Sequence, residues 1–208
     1  MAILRIRAKG VGIGTDMTET SQGHFLTRFR LLQIIVLCAF GSVLGTGTGS
    51  AGTNEDLNEL LDQVQFSLVD AVNMVQSSFD GYVIGVELEE EDGMFYYEVE
   101  LVSEVGRARV YVNPANGIVI GIDQEEGIAI RFQRRWQRRL AAAQASKLTI
   151  VEAIRVAQEK ADGHVVEVDL RTRSEPTVYK IKLLNGDQES EVSVATNDGS
   201  ITDFDVDD

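Results

Sequence analysis

The side chains of this 208-residue chain that are best suited to chemistry are few and stand apart from one another. His164 is one of two histidines, and the other, His24, precedes an apolar run. A lone histidine with no cysteine and no second histidine nearby lacks both a metal-ligand set and the partners of a nucleophilic triad. The sequence also has no nucleophile elbow, P-loop or dinucleotide-binding glycine motif. We therefore predict no enzymatic activity, no cofactor and no metal site.

An acidic run offers a second candidate for chemistry. It consists of Glu87, Glu89, Glu90, Glu91 and Asp92. A divalent cation needs oxygen ligands that converge, but the ligand order of an EF-hand is absent and adjacent residues of a strand point to opposite faces. We interpret the run as a solvent-exposed strand and hairpin.

The one basic stretch of this acidic chain lies in its middle. Its arginines are Arg131, Arg134, Arg135, Arg138 and Arg139. Phe132, Trp136 and Leu140 recur there at helical spacing, which predicts a helix with one apolar seam. Three interpretations of these arginines are open. In the one that we favour, they neutralise the neighbouring acidic faces of the two copies. In the others, they rest on anionic lipid with Phe132 and Trp136 inserted, or they bind a protein partner. For the last interpretation, the five arginines and Trp136 are the candidate partner contacts.

A single offset of 82 residues aligns two parts of the chain without a gap. It carries residues 66–122 onto residues 148–204, including Gly81 onto Gly163. This period is longer than that of solenoid repeats, so we predict two copies of one small domain.

Each copy contains one amphipathic helix followed by strands. Capping-box motifs at 67–70 and 149–152 predict where the helices begin. Alternating apolar and acidic residues then predict strands with one packed face, toward which Ile84, Val86 and Leu88 point. The predicted fold class is α+β, with two modules that each pack one helix on a three- to four-stranded antiparallel sheet. A basic helical linker joins the two modules.

The two copies differ mainly on the outward face of the first strand. Tyr82 in the first copy corresponds to His164 in the second, and Glu89 corresponds to Arg171. Because the shared positions account for packing, we place further candidate partner contacts on this face, at Tyr82, His164, Glu87 and Glu89.

The order of these elements resembles the PepSY domain. The residues that carry the resemblance are Ala71, Gly81, Val86, Leu88, Tyr97, Val110, Val112 and Gly117, and their counterparts Ala153, Gly163, Val168, Leu170, Tyr179, Val192, Val194 and Gly199. The closing turn departs from the family pattern, with Asn113 and Ala195 at positions where Asp is usual. The resemblance implies cystatin-like modules without catalytic residues, found outside the cytoplasm and linked to restraint of peptidases and to protein binding.

The first 51 residues have the features of an N-terminal extension and signal peptide. Two arginines precede the apolar run at 31–44, which is shorter than the roughly 20 residues that span a bilayer. Small residues at 49–51 then provide a cleavage site after Ala51. Either Met1 or Met17 is the start of the precursor. We predict a periplasmic or cell-surface location, with an uncleaved membrane anchor as the alternative.

The remaining chain divides into four segments. We predict a short helical lead-in at 52–66, a first PepSY-like domain at 67–122, the Arg-rich helical linker at 123–146 and a second PepSY-like domain with an acidic tail at 147–208. The formal net charge of −14 opposes nucleic-acid binding, which requires a basic surface. The single cysteine, Cys38, lies in the apolar run, so a cleaved chain has no disulfide.

These observations predict a non-catalytic, exported protein-interaction module that regulates or inhibits an extracytoplasmic peptidase. The alternative is a membrane-anchored structural or sensor protein of the cell envelope. The predicted partner is a protein or peptide that binds the exposed sheet face or adds as a strand to a sheet edge. Membrane contact would use the signal or anchor segment, or the Arg-rich linker.

Overall fold

The structure is a computed structural model that describes Leu61, residues 64–126 and residues 133–207. All of these residues fall in one compact unit of the chain. The extension and signal peptide predicted for residues 1–51, and most of the lead-in at 52–66, lie outside the described residues. No helix within the described ranges has both the length and the apolar character needed to cross a membrane.

The fold is α+β and is dominated by one antiparallel sheet of eight strands. In chain order these are β1 Tyr82–Glu91, β2 Met94–Val102, β3 Gly106–Val112, β4 Val119–Glu126, β5 His164–Arg171, β6 Val178–Asn185, β7 Gln188–Ala195 and β8 Ile201–Asp207. Their order across the sheet is β4-β3-β2-β1-β5-β6-β7-β8. Strands β1 and β5 are therefore central, and β4 and β8 form the two edges.

Three helices accompany the sheet. They are α1 Leu68–Ser78, α2 Arg134–Ala145 and α3 Ile150–Lys160. Both predicted capping boxes are confirmed, since the Asp70 N–H donates to Ser67 Oγ at 3.1 Å and the Glu152 N–H donates to Thr149 Oγ1 at 3.2 Å. These bonds satisfy N–H groups that lack partners in the first turn of a helix and so fix where α1 and α3 begin.

Helix α2 lies in the segment predicted as the Arg-rich linker. The predicted boundary at 122 assigns residues 123–126 to the linker. Strand β4 continues to Glu126, so these residues belong to the sheet instead. Residues 127–132, which include Arg131, lie outside the described part of the chain.

Positions that are 82 residues apart have the same role in the two halves of the sheet. Val86 pairs with Val99 between β1 and β2, and Val168 pairs with Ile181 between β5 and β6. Where the halves meet, Val86 pairs directly with Val168. Equivalent positions stand opposite each other when a local two-fold axis relates two antiparallel strands, so this valine pair marks the centre of the sheet.

The hydrophobic core lies between one face of the sheet and helices α1 and α3. Ala71 and Val75 on α1, and Ala153 and Ala157 on α3, are completely buried, as their helical spacing predicts. Because small side chains fill these positions, both helices can lie close to the strands.

The predicted alternation in β1 holds only in part. A β-bulge separates Val83 from Gly85, with Ile84 as the extra residue. Val83 therefore stands opposite Leu101 and shares the packed face with Val86, and Ile84, which was predicted to pack on this face, is also completely buried in the core. Alternation with a period of two cannot reveal an inserted residue, which shifts every position before it by one.

Gly163, just before β5, should tolerate substitution poorly. Its φ is +135°, and an added Cβ would lie 2.7 Å from the Leu184 carbonyl oxygen. We expect Gly163→Ala to lower the free energy of unfolding by about 2 kcal/mol or more, measured by urea denaturation. Gly186→Ala is the control, because Gly186 also has a positive φ but no neighbouring atom within 4 Å of the added Cβ. Equal losses in the two variants would contradict this account.

Candidate functional site

The sheet face opposite α1 and α3, which we call the outer face, carries two cross-strand rows of charged residues. From β3 to β7 the first row runs Tyr111, Glu98, Glu87, Glu167, Lys182, Glu191. From β3 to β6 the second row runs Arg109, Glu100, Gly85, Asp169, Lys180. Both rows cross the junction of β1 and β5, where Glu87 stands beside Glu167 in the first row and Gly85 stands beside Asp169 in the second.

Three carboxylates stand side by side at the centre of the first row, on Glu98, Glu87 and Glu167. Burial raises the pKa of Glu87 to about 7, and the charges of Glu89, Glu167 and Glu98 raise it further. Burial followed by the charge of Glu98 likewise raises the pKa of Glu89 to about 7. Burial also raises the pKa of Glu98, although the Arg109 guanidinium lies 3.1 Å from its carboxylate. This part of the outer face therefore binds protons near neutral pH.

These two pKa values predict that the protein becomes more stable as the pH falls from 8 to 5. Between pH 7 and the ordinary carboxyl pKa near 4.5, the folded state holds protons on Glu87 and Glu89 that the unfolded chain has released. Although neighbouring atoms partly desolvate the Glu87 carboxyl, its side chain still reaches solvent, which screens its charge, so we expect a gain of only about 1 kcal/mol. Thermal unfolding of the wild type and of Glu87→Gln/Glu89→Gln at both pH values tests this. The double variant should lose most of the difference, and a wild type that is less stable at pH 5 would refute the prediction.

Arg139 of α2 occupies the second row, where it lies over Gly85. Its guanidinium lies 3.3 Å from Glu100 Oε2 and 2.5 Å from Asp169 Oδ1. Glu100 and Asp169 are the cross-strand neighbours of Gly85 on β2 and β5, so Arg139 joins strands from both halves of the sheet. We call Arg139, Glu100 and Asp169 the arginine clamp.

Gly85 lies within contact distance of the arginine clamp. An added Cβ at this position would lie 3.9 Å from the Arg139 guanidinium and 3.3 Å from the Val168 carbonyl oxygen. Glycine inside a strand often marks such a close approach by another group. The sequence contained this signal, because the equivalent position in the second copy is Glu167.

The arginines and tryptophan predicted as partner contacts do not share one surface. Trp136 is only 8% exposed and belongs to the hydrophobic core, and Arg139 is 7% exposed and held in the arginine clamp. Arg134, Arg135 and Arg138 are exposed. Arg139 thus lies between two carboxylates of the sheet, which is the kind of contact that the first of the three interpretations of this stretch describes.

The other predicted contacts are divided between two places. Glu87 and Glu89 lie together in the acidic centre of the outer face. Tyr82 and His164 are exposed at the first positions of β1 and β5. Because β1 and β5 are antiparallel, their first residues lie toward opposite ends of the central strand pair, and the structure does not bring Tyr82 and His164 together.

A basic pocket of about 250 Å³ borders the arginine clamp. It is lined by Arg135, Arg138, Arg139, Asp169, Leu170, Arg171, Thr172 and Arg173. The presence of Arg171 and Arg173, at and beyond the end of β5, beside the arginines of α2 was not predicted from the sequence. Residues more than 30 positions apart meet here, and local patterns do not reveal such contacts.

The edge strand β8 is exposed at every residue. Ile201 and Phe204 share the face of the buried Val194 and Val192, and Lys160 of α3 lies 4.4 Å from the Phe204 ring centroid. The outer face of β8 carries the three aspartates Asp203, Asp205 and Asp207. Among the described residues, no strand pairs with the far side of β8. This edge therefore combines free backbone hydrogen-bonding groups with one apolar and one acidic face.

The described residues contain no group of three or more histidine, cysteine or acidic side chains placed to hold a metal ion.

Comparison with known proteins identifies part of this architecture. Residues 67–123 match the model of the PepSY family, described as the peptidase propeptide and YPEB domain. One PepSY domain is therefore present, and it contains α1, β1 to β3 and the first part of β4. The crystal structure of a candidate lipoprotein from Clostridium difficile 630 shares 19% identity and a TM-score of 0.46, over 71% of this chain and 98% of its own. No curated protein matches the chain.

Proposed function

We propose that this protein is a non-catalytic module that binds and restrains a peptidase outside the cytoplasm. The observation that carries the proposal is the PepSY domain at residues 67–123, because PepSY domains mediate protein interactions and are associated with peptidase propeptides and inhibitors. Residues 147–208 are proposed as a second PepSY-like domain, joined to the first through the segment at 123–146. The shared element order and the 82-residue relation of the strand registers support this second assignment.

Export of the mature chain is part of the same proposal. A peptidase propeptide family acts where its peptidases act, and the signal features at residues 1–51 match that location. N-terminal sequencing of the protein from cell-envelope and soluble extracytoplasmic fractions tests this part. A mature chain that begins at Gly52 supports it, whereas an intact N-terminus in the membrane fraction supports the anchored alternative.

The edge strand β8 is the proposed site for the peptidase. An extended segment of the partner can add to a free edge through backbone hydrogen bonds, while its side chains meet the two faces of the strand in alternation. In β8 these faces are apolar at Phe204 and acidic at Asp203 and Asp205. A segment that alternates apolar and basic side chains complements both.

The three aspartates of β8 also make its edge selective for a basic partner segment over a second copy of the same strand. Charged side chains on an edge strand oppose pairing with another copy of the same strand, since like charges would then face each other. Glu189 and Glu191 are the cross-strand neighbours of Asp207 and Asp205, which strengthens this repulsion. A basic partner segment would neutralise these carboxylates and so remove the repulsion between them.

Affinity capture of the full-length protein from the extracytoplasmic fraction of its host tests the proposal. We expect a peptidase to co-purify with the wild type, identified by mass spectrometry. The variant Asp203→Lys/Asp205→Lys/Asp207→Lys should lower its recovery about tenfold or more. The control Glu104→Lys/Glu159→Lys/Asp187→Lys makes the same charge change at exposed positions that are not part of β8. Absence of any peptidase would overturn the proposed function, and equal recovery with both variants would overturn the β8 site.

A further inference from the structure

The basic pocket beside the arginine clamp is an exception in a strongly acidic chain. Acidic residues outnumber lysines and arginines by 33 to 19 in the sequence. The pocket lining reverses this ratio, since five arginines and one aspartate give it a formal net charge of +4. Guanidinium groups gathered around one space repel each other, and an anion in that space would relieve the repulsion.

Three of the five arginines have no carboxylate partner among the described residues. The other two are paired: Arg139 with Glu100 and Asp169, and Arg171 with Glu167 and with Asp169, whose Oδ2 lies 3.1 Å from Arg171 Nε. Arg135, Arg138 and Arg173 are exposed and form no ion pair with any residue that the structure describes. Three guanidinium groups are therefore left for a ligand. Each is a planar fork of hydrogen-bond donors that suits phosphate and carboxylate oxygens.

Arg139 adds an observation that does not depend on the exposed arginines. Its side chain is more than nine-tenths buried, and its Nε has no hydrogen-bond partner among the described residues. A buried donor without an acceptor costs about 1–3 kcal/mol, which a ligand oxygen or a water molecule can recover. Arg139 is one of the residues that line the pocket.

The start of helix α2, from which Arg135 contributes to the pocket lining, also favours a nearby anion. Arg135 lies in the first turn of α2, which contains no acidic residue, and the N-cap residue Gln133 makes no side-chain capping bond. Helices α1 and α3 each have a capping box with an acidic side chain there. A positive helix end that carries arginines is stabilised by a bound anion.

The surroundings of the pocket limit the size of that anion. The acidic first row of the outer face, with Glu87 and Glu167 at its centre, lies next to the row that contains Asp169. A nucleic acid or another long polyanion would be repelled by these carboxylates, whereas a compact group can enter the pocket alone.

We propose that the pocket binds one compact phosphate group, with Arg135, Arg138 and Arg173 as its principal ligands. A free phosphate and the headgroup of an anionic phospholipid offer the same chemistry. The site is distinct from the β8 edge, so the peptidase proposal and this proposal can fail independently.

Titration of the full-length protein with inorganic phosphate at low ionic strength, followed by calorimetry, tests the site. We expect saturable binding that Arg135→Gln/Arg138→Gln/Arg173→Gln weakens about tenfold or more. The control Lys147→Gln/Arg155→Gln/Lys160→Gln removes the same charge from exposed positions outside the pocket and should bind like the wild type. Circular dichroism confirms that both variants are folded.

Vesicle sedimentation distinguishes the two sources of phosphate. Binding to phosphatidylglycerol vesicles but not to phosphatidylcholine vesicles, lost in the pocket variant and kept in the control, assigns the site to a lipid headgroup. Phosphate binding without vesicle binding assigns it to a soluble phosphate. The proposal is overturned if neither probe binds, or if the pocket variant and the control lose binding equally.

Discussion

Replacement of Arg139 by alanine is expected to lower the free energy of unfolding by about 3 kcal/mol. The substitution removes the common partner of two carboxylates that are only partly accessible, Glu100 at 19% and Asp169 at 22% side-chain exposure. Breaking a buried ion pair by removing one partner costs about 3–5 kcal/mol, because the other charge stays behind unpaired. The lower end applies here, since solvent reaches both carboxylates and Asp169 keeps its contact with Arg171.

Arg138→Ala is the matched control for this prediction. Arg138 precedes Arg139 on the same helix, is exposed and makes no ion pair with a described residue, so its loss should change stability by less than about 0.5 kcal/mol. Urea denaturation measures both variants. Arg139→Lys should fall between them, because lysine keeps the charge but not the planar fork of donors that reaches two carboxylates. Equal stability of the two alanine variants would show that the arginine clamp does not hold the sheet together.

A second large effect is expected at the equivalent core positions Leu101 and Leu183. They are 82 residues apart, on β2 and β6, and are 1% and 0% exposed. Truncation of a buried leucine to alanine costs about 2–5 kcal/mol, through lost burial and the cavity that is left. Because β1 and β5 pair into one sheet, we expect Leu101→Ala and Leu183→Ala to shift the same single unfolding transition by similar amounts.

Calorimetry distinguishes one cooperative unfolding unit from two halves that unfold independently. In a single cooperative unit, each variant shows one transition at a lower temperature and the agreement between calorimetric and van't Hoff enthalpies is kept. If the halves unfold separately, each variant lowers one transition and leaves a second one at its wild-type position. The exposed substitution Glu104→Ala serves as a control that should move neither.

Local rules of sequence predicted the elements well. The side-chain oxygens of Ser67 and Thr149 cap the helices because the chemistry of a helix end involves only four neighbouring residues. The apolar positions of α1 and α3 are buried for an equally local reason, the helical period of 3.6 residues. The PepSY assignment of the first copy is confirmed for residues 67–123.

Contacts between distant residues could not be predicted in the same way. Nothing in the alternating pattern of β1 or β5 specifies which strand edge meets which, so the Val86–Val168 pair and the continuous sheet were not foreseen. The arginine clamp depends on that junction, because Asp169 becomes a neighbour of Gly85 only when β1 and β5 pair. Trp136 was correctly placed on a helix seam, but spacing alone does not show whether a seam faces a core or a partner.

The pairing of β1 with β5 limits where a partner strand can bind. Strands β1 and β5 are each paired on both sides, so they are closed to strand addition. Only β4 and β8 offer an outer edge within the described sheet, and β8 lies farthest from the PepSY domain that the family comparison identifies. A partner that binds β8 therefore uses the second half of the chain, whereas the first half remains accessible at β4.

Restraint of the peptidase is measured as the rate at which the captured enzyme hydrolyses a peptide substrate while the purified protein is added. We expect a saturable fall in the hydrolysis rate that is complete near stoichiometric amounts. This fall should be preserved in the control Glu104→Lys/Glu159→Lys/Asp187→Lys and lost in Asp203→Lys/Asp205→Lys/Asp207→Lys. An unchanged hydrolysis rate in the presence of excess folded protein would contradict the claim that this protein restrains a peptidase.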